Sequence, residues 1–238
     1  MKLDILVIAA HPDDAELSCA GTILKHIDLG YKVGIVDLTR GELGTRGTPE
    51  LRDQEAGNAS KILGLSVREN LQFADGFFEI DKAHCIELIK VIRKYQPDIV
   101  IANAVEDRHP DHGRGGALAS RACFLSGLRK IETQFFGAKQ SEWRPQAVFH
   151  YIQDRYIKPD FVVDISNYWD KKIEAIKAYK SQFYDPQSKE PETYISGADF
   201  FDFLVARSQE FGHSIGVKYA EGFTKERHLK INNLFDIV

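Results

Sequence analysis

Two short stretches gather most of the chemistry-bearing side chains: "HPDD" at residues 11–14 and "HPDH" at 109–112. Each sets a histidine, a proline and an acid in the same order, and each follows an apolar run, "LDILVIAA" and "DIVIAN". One histidine at the end of a strand is ordinarily a hydrogen-bonded structural residue. Two such tetrads in one chain exceed what packing alone asks for. Histidine and aspartate are the donors of a catalytic zinc, which takes three protein ligands and keeps a further position for water. His11, Asp14 and His112 form such a set. Asp13 is then left off the metal and is placed to accept the water's proton. Two roles are open to His109, stabilising a developing oxyanion or protonating a leaving amine. Asp111 is placed to orient its imidazole. The expected cofactor is Zn2+, although His and Asp donors also suit other divalent transition metals.

The elements that must carry these residues alternate. Residues 3–10, 32–39, 70–75 and 98–103 read as strands. Helical stretches fit 14–29, about 49–63, 81–95 and 115–128. Beyond them "AVFHYI" and "FVVDIS" read as strands, a helix follows "NYWD", and a last helix near 198–211 leads into "KYAEGF". Alternation of this kind predicts an α/β fold with a mostly parallel sheet covered by helices on both faces. Ligands in such sheets gather at the carboxyl ends of the strands. Both tetrads and the glycine-rich loop 40–47 lie there. With no repeat and no linker composition, residues 1–238 read as a single domain.

Composition narrows the function classes. The chain has 238 residues and a net charge of −4, with no basic block to suggest a nucleic-acid or membrane surface. The three cysteines, Cys19, Cys85 and Cys123, are sparse and unpaired in sequence, which points to a reducing, cytoplasmic setting. The N-terminal apolar run is short and interrupted by Asp4, unlike a leader peptide. GxGxxG and GxxxxGK[ST] are missing from the first strand–helix turn, and GxSxG is absent.

"AHPDDAE" and "HPDH" resemble the two signature motifs of the PIG-L/LmbE-type zinc-dependent N-acetylglucosamine deacetylases. The likeness runs on through "TRGELGTRGTPELRDQEA", "EDRHPDHGRG", "FVVDIS", "KIEAIKAYKSQF" and "YAEGF", which are similar to the bacillithiol branch. The resemblance implies a Rossmann-like three-layer sandwich with zinc on His11, Asp14 and His112. It implies Asp13 as general base and His109 as helper of the tetrahedral intermediate. It also implies a small amino-sugar substrate, N-acetyl-α-D-glucosaminyl L-malate, and self-association into a homo-oligomer. Arg52 matches the arginine taken to grip the sugar, and Arg108 is placed to meet a malate carboxylate. Rival readings are another N-acetylglucosaminide, a thiol conjugate cleaved at an amide, or a metal-dependent sugar-binding module. Ala15 separates Asp14 from Glu16, where the broader family commonly reads HPDDE. Glu16 is expected as a helix-start acid favoured by the dipole. Arg46 and Glu42 are expected as solvated loop residues, Cys19 as a small apolar helix residue, and His26 and His84 in structural or exposed roles. His150 is either a pocket residue or a satisfied sheet histidine, and "KYAEGF" either core or site wall.

Overall fold

The computed structural model describes residues 1–183 and 185–237. Among the described residues, fifteen strands and α-helices follow in order. The first half holds β1 (Ile5–Ala9), α1 (Asp14–Asp28), β2 (Val33–Thr39), α2 (Pro49–Leu63), β3 (Val67–Phe73), α3 (Lys82–Tyr95), β4 (Ile99–Ala102) and α4 (Pro110–Ser126). A short hairpin of β5 (Gln134–Phe135) and β6 (Ala138–Lys139) then precedes β7 (Ala147–Tyr151) and β8 (Phe161–Asp164). The chain continues through α5 (Trp169–Lys177), α6 (Phe200–His213) and β9 (Ala220–Lys225). Seven strands form one sheet in the order β3-β2-β1-β4-β7-β9-β8. The first five in that order run parallel, and β9 is antiparallel to both of its neighbours. The expected α/β, Rossmann-like three-layer sandwich is what the chain forms.

The sheet is covered on both sides because β1 is apolar at every position. Leu6 and Ile8 enter one core with Leu88, Ile89 and Ile92 of α3 and Leu118, Ala119 and Ala122 of α4. Ile5, Val7 and Ala9 face the other way, against Ala15, Cys19, Ala20 and Ile23 of α1. Continuous apolar strands are the mark of a parallel sheet buried on two faces. No helix among the described residues is long and apolar enough to cross a membrane.

The order of strands places the chemistry. From β1 the chain steps outward to β2 and β3, then returns to the other side of β1 as β4. The direction of winding therefore reverses between β1 and β4, where open α/β sheets keep their ligand crevice. HPDD leaves β1 and HPDH follows β4, so the two tetrads flank that crevice.

Three boundaries differ from the sequence reading. Helix α4 starts at Pro110, inside the second tetrad, and not at 115. Proline suits a first helical turn, and the His109 ring accepts the Asp111 N–H as a cap. Strand β3 begins at Val67, three residues before the expected start. It lies at the edge of the sheet and is only partly buried, so polar Arg68 and Glu69 are admitted. "KYAEGF" leads into a true strand, β9, whose Gly222 lies under the Phe211 ring; a Cβ there would come within 2.8 Å of it.

Candidate active site

Strand ends of β1, β2, β3, β4 and β7 all feed one cavity of about 390 Å³. His11, Asp13 and Asp14 enter from β1, and Gly41 and Leu43 from the loop after β2. Asp75 comes from the end of β3, His109 and His112 from the start of α4, and Gln153 from the end of β7.

The first tetrad makes a strained turn. Asp13 has φ 112° and ψ −25°, a left-handed conformation that costs a non-glycine residue about 1–3 kcal/mol. Its side chain makes no cap bond to α1 and meets Arg52 Nη1 at 3.3 Å instead. Arg52 Nη1 also donates to the Pro12 carbonyl at 2.8 Å. Burial pushes the Asp13 carboxyl up to about 7, although Arg52 pulls it down.

Asp14 lies between the histidines. Its Oδ2 accepts the His11 N–H at 2.9 Å and stands 3.5 Å from His11 Nδ1. Its Oδ1 stands 3.1 Å from His112 Nε2. Each imidazole is held from behind by a second carboxylate. His11 Nε2 meets Asp75 Oδ1 at 3.0 Å and Asp111 Oδ2 at 3.4 Å. His112 Nδ1 meets Asp107 Oδ2 at 2.5 Å. His11 Nδ1 and His112 Nε2 are therefore the nitrogens turned towards Asp14. Carboxylates behind a metal-binding imidazole fix its tautomer and raise its basicity.

Donors gathered here could hold a cation, but the sets that lie mutually close do not include Asp14, which faces His11 and His112 through different oxygens. His11, His109 and His112 each offer a nitrogen within 4.8 Å of the others, as do donor atoms of His11, Asp75 and Asp111. Burial opposes charge on His112, yet Asp14 and Asp107 raise it to about 9. Burial likewise opposes charge on His11, and Asp111, Asp14 and Asp75 hold it well above the ordinary histidine range. Buried imidazoles that attract protons this strongly mark a surplus of negative charge, which a divalent ion would balance.

His109 differs. Burial and the two neighbouring imidazoles depress its pKa. Its Nδ1 accepts the Asp111 N–H at 3.2 Å, so the neutral ring carries its proton on Nε2 and can donate from there. The expectation for Asp111 is corrected here. Its carboxylate does not orient His109; it accepts from Gly76 N at 2.8 Å and Arg114 Nη1 at 2.7 Å and stands behind His11. Only its backbone N–H serves His109, because helix geometry at α4 turns the side chain away.

Arg52 and Arg108 both line the cavity. The Arg108 guanidinium lies over the Tyr194 ring at 4.2 Å and reaches Asp154 at 3.4 Å. One other expectation, that for Arg46, is corrected. Glu16 stands in the first turn of α1, as expected, and is fully buried there, paired with Arg68 at 2.6 Å and bonded by Tyr179. Arg46 is buried and donates to the Phe183 carbonyl. Glu42 is exposed, as expected of a loop residue, and accepts the Asp75 N–H at 2.8 Å. His150 is a satisfied sheet histidine between the Asn103 carbonyl and Glu226, and the cysteines are free and buried. Glu221 and Gly222 of "KYAEGF" reach the cavity wall.

Sequence reasoning missed Asp75, Asp107, Asn103 and Gln153. Asp75 and Asp107 were reachable, since both follow a strand on the carboxyl edge. Nothing in the local sequence singles out Gln153.

The profile of the PIG-L family, described as GlcNAc-PI de-N-acetylase, matches residues 6–123. A diacetylchitobiose deacetylase of Thermococcus kodakarensis is 31% identical over 229 residues, covering 92% of this chain and 81% of that protein. The chain belongs to the PIG-L family. A conserved protein of Thermus thermophilus superposes with a TM-score of 0.85 at 37% identity, over 97% of this chain and 98% of that one. PIG-L relatives differ in chemistry. A 4-oxalmesaconate hydratase of Pseudomonas putida is 30% identical, over 74% of this chain and 73% of its own. A Bacillus cereus protein described as "probable N-acetyl-alpha-D-glucosaminyl L-malate deacetylase 2" is 28% identical, over 76% and 84%.

Proposed function

We propose that this PIG-L protein is a zinc-dependent N-deacetylase that hydrolyses the acetamide of an N-acetylglucosamine conjugate. The observation that carries the reading is the meeting of the two tetrads, with Asp14 Oδ1 3.1 Å from His112 Nε2 and Asp14 Oδ2 3.5 Å from His11 Nδ1. His11, Asp14 and His112 would hold the ion. A divalent ion supplies Lewis acidity: it polarises an amide carbonyl and makes a water molecule more acidic. Asp13 takes up the proton at its carboxylate, which burial holds close to neutrality. His109 donates from Nε2 to the oxygen that gains charge, or passes that proton to the departing amine. Asp75, Asp107 and Asp111 hold the imidazoles that bind.

The favoured substrate is N-acetyl-α-D-glucosaminyl L-malate, supported by the motif likeness and the Bacillus relative. Arg108 at the cavity rim suits a malate carboxylate. A second reading, a diacetylchitobiose-type substrate, is favoured by the higher identity and wider coverage of the Thermococcus relative. The three free, buried cysteines support a cytoplasmic setting. A sheet that takes in strands from Ile5 to Lys225 supports one domain over 1–238.

Acetate release should be scored on the malate conjugate, diacetylchitobiose and free N-acetylglucosamine, with and without chelator. Release that stops on chelation and returns with Zn2+ is expected, with the malate conjugate preferred. Preference for the disaccharide transfers the assignment to the second reading. No acetate from any of them, with the site metal-loaded, defeats the deacetylase assignment.

A further inference from the structure

The PIG-L profile ends at residue 123, yet a side chain well beyond it touches the centre of the site. Gln153, at the end of β7, donates from Nε2 to Asp14 Oδ1 at 3.1 Å. Its amide cannot turn round without loss. Oε1 accepts from Asn103 Nδ2 at 3.0 Å and from Ala104 N at 3.3 Å, which fixes the NH2 towards Asp14. Asn103 is fixed in turn, its Oδ1 accepting the Ala10 N–H at 2.8 Å.

These bonds decide what Asp14 has left to offer. A carboxylate oxygen has room for about two donors. Oδ2 is filled by the His11 N–H at 2.9 Å and Asn103 Nδ2 at 3.0 Å. Oδ1 takes Gln153 alone among these donors, so its second lone pair stays open, on the side where His112 Nε2 stands 3.1 Å away. Both restraining groups are neutral amides. A lysine or arginine in their place would hold the carboxylate equally well while cancelling the charge a cation needs.

Gln153 is itself anchored from the C-terminal third. Arg207 of α6 donates from Nη1 to the Gln153 carbonyl at 3.2 Å and from Nη2 to the Asp154 carbonyl at 3.0 Å. Its guanidinium is enclosed by the rings of Phe203, Tyr156 and Phe211, at 5.1, 5.5 and 5.9 Å. A planar fork gripping two consecutive carbonyls sets the loop's position in a way a single ammonium does not.

We propose that Gln153, carried by Arg207, is a positioning residue that aims the open lone pair of Asp14 at a divalent ion. This rests on the metal site proposed above. The test is zinc affinity, measured by competition with a chromophoric chelator on the full chain, with the visible spectrum of the Co2+-loaded protein as second readout. Gln153→Met keeps length and bulk but removes both the Nε2 donors and the Oε1 acceptor. Its zinc dissociation constant should rise about 10- to 100-fold, and its cobalt bands should shift, while the metal-free protein still melts in a single cooperative transition. Arg207→Met should weaken zinc binding by a smaller factor. A Gln153→Met protein with wild-type zinc affinity and an unaltered cobalt spectrum overturns the role of Gln153. Undiminished affinity in Arg207→Met overturns the anchoring by α6. Wild-type protein that binds no zinc removes the metal site itself, a separate failure visible in the same series.

Discussion

Asp13 combines a strained backbone, complete burial and a single arginine partner, and that combination serves a proton acceptor better than a ligand. Asp13→Asn keeps the shape and tolerates the left-handed φ, but it removes the basic carboxylate. Acetate release should fall about 10²- to 10⁴-fold with zinc content retained, as assayed by turnover and metal analysis together. His112→Ala should do the reverse and lose the metal. Arg52 adds a finer test. Its charge lowers the Asp13 pKa, so Arg52→Gln should move the acid limb of the kcat/KM–pH profile upward. A limb that stays in place would mean that the group titrating there is not Asp13. These residues were legible because their types and order repeat in two tetrads. Asp107 and Asp75 carried a weaker signal, their place after a strand on the carboxyl edge, because a lone aspartate behind an imidazole leaves no spacing signature. Asp111 misled for a related reason: adjacency in sequence suggested service to His109, while the first turn of α4 directs its carboxylate to His11.

The elements were easier to read than their starting points. Apolar runs in β1, β2 and β4 and the i, i+3, i+4, i+7 pattern of α3 are decided by burial on two faces and one face. The start of α4 is decided by a cap, and His109 is an uncommon capping residue that looks like pure chemistry from sequence. Polar clusters hide in the same way: Glu16, Arg68 and Asp37 form a buried ion-paired group that composition presents as surface charge. One close approach keeps α4 where His112 is needed. A Cβ at Gly116 would lie 2.8 Å from the Asn103 carbonyl oxygen and 3.1 Å from that of Ala104. Backbone on both sides leaves nothing flexible to yield. Gly116→Ala should therefore cost about 1–3 kcal/mol of stability and, by lifting the first turns of α4 from the end of β4, weaken zinc binding. Thermal melts and chelator competition read the two effects separately. A loss of stability with zinc affinity intact would show that α4 can shift without carrying His112 with it.

At the scale of the molecule, one site ties together five strand ends and the C-terminal α6, so occupancy should be felt by the whole fold. An ion that binds only the folded chain stabilises it by about 2.7 kcal/mol at a hundredfold excess over its dissociation constant. For a protein of this size that corresponds to a rise in Tm of roughly 5–10 °C. The increment should also depend on pH in a definite direction. In the metal-free protein His112 is raised to about 9 by Asp14 and Asp107, against an unfolded value near 6.5. A raised histidine gives stability that is complete below about 6.5 and lost as pH climbs through about 9. His11, raised by its three carboxylates, acts in the same sense. A bound ion replaces those protons, so its advantage over the metal-free protein should widen from pH 6 to pH 9. Melting curves with zinc and with chelator across that range measure the gap directly. A gap that is constant or narrows with pH would mean that His11 and His112 are not the groups whose protons the ion displaces.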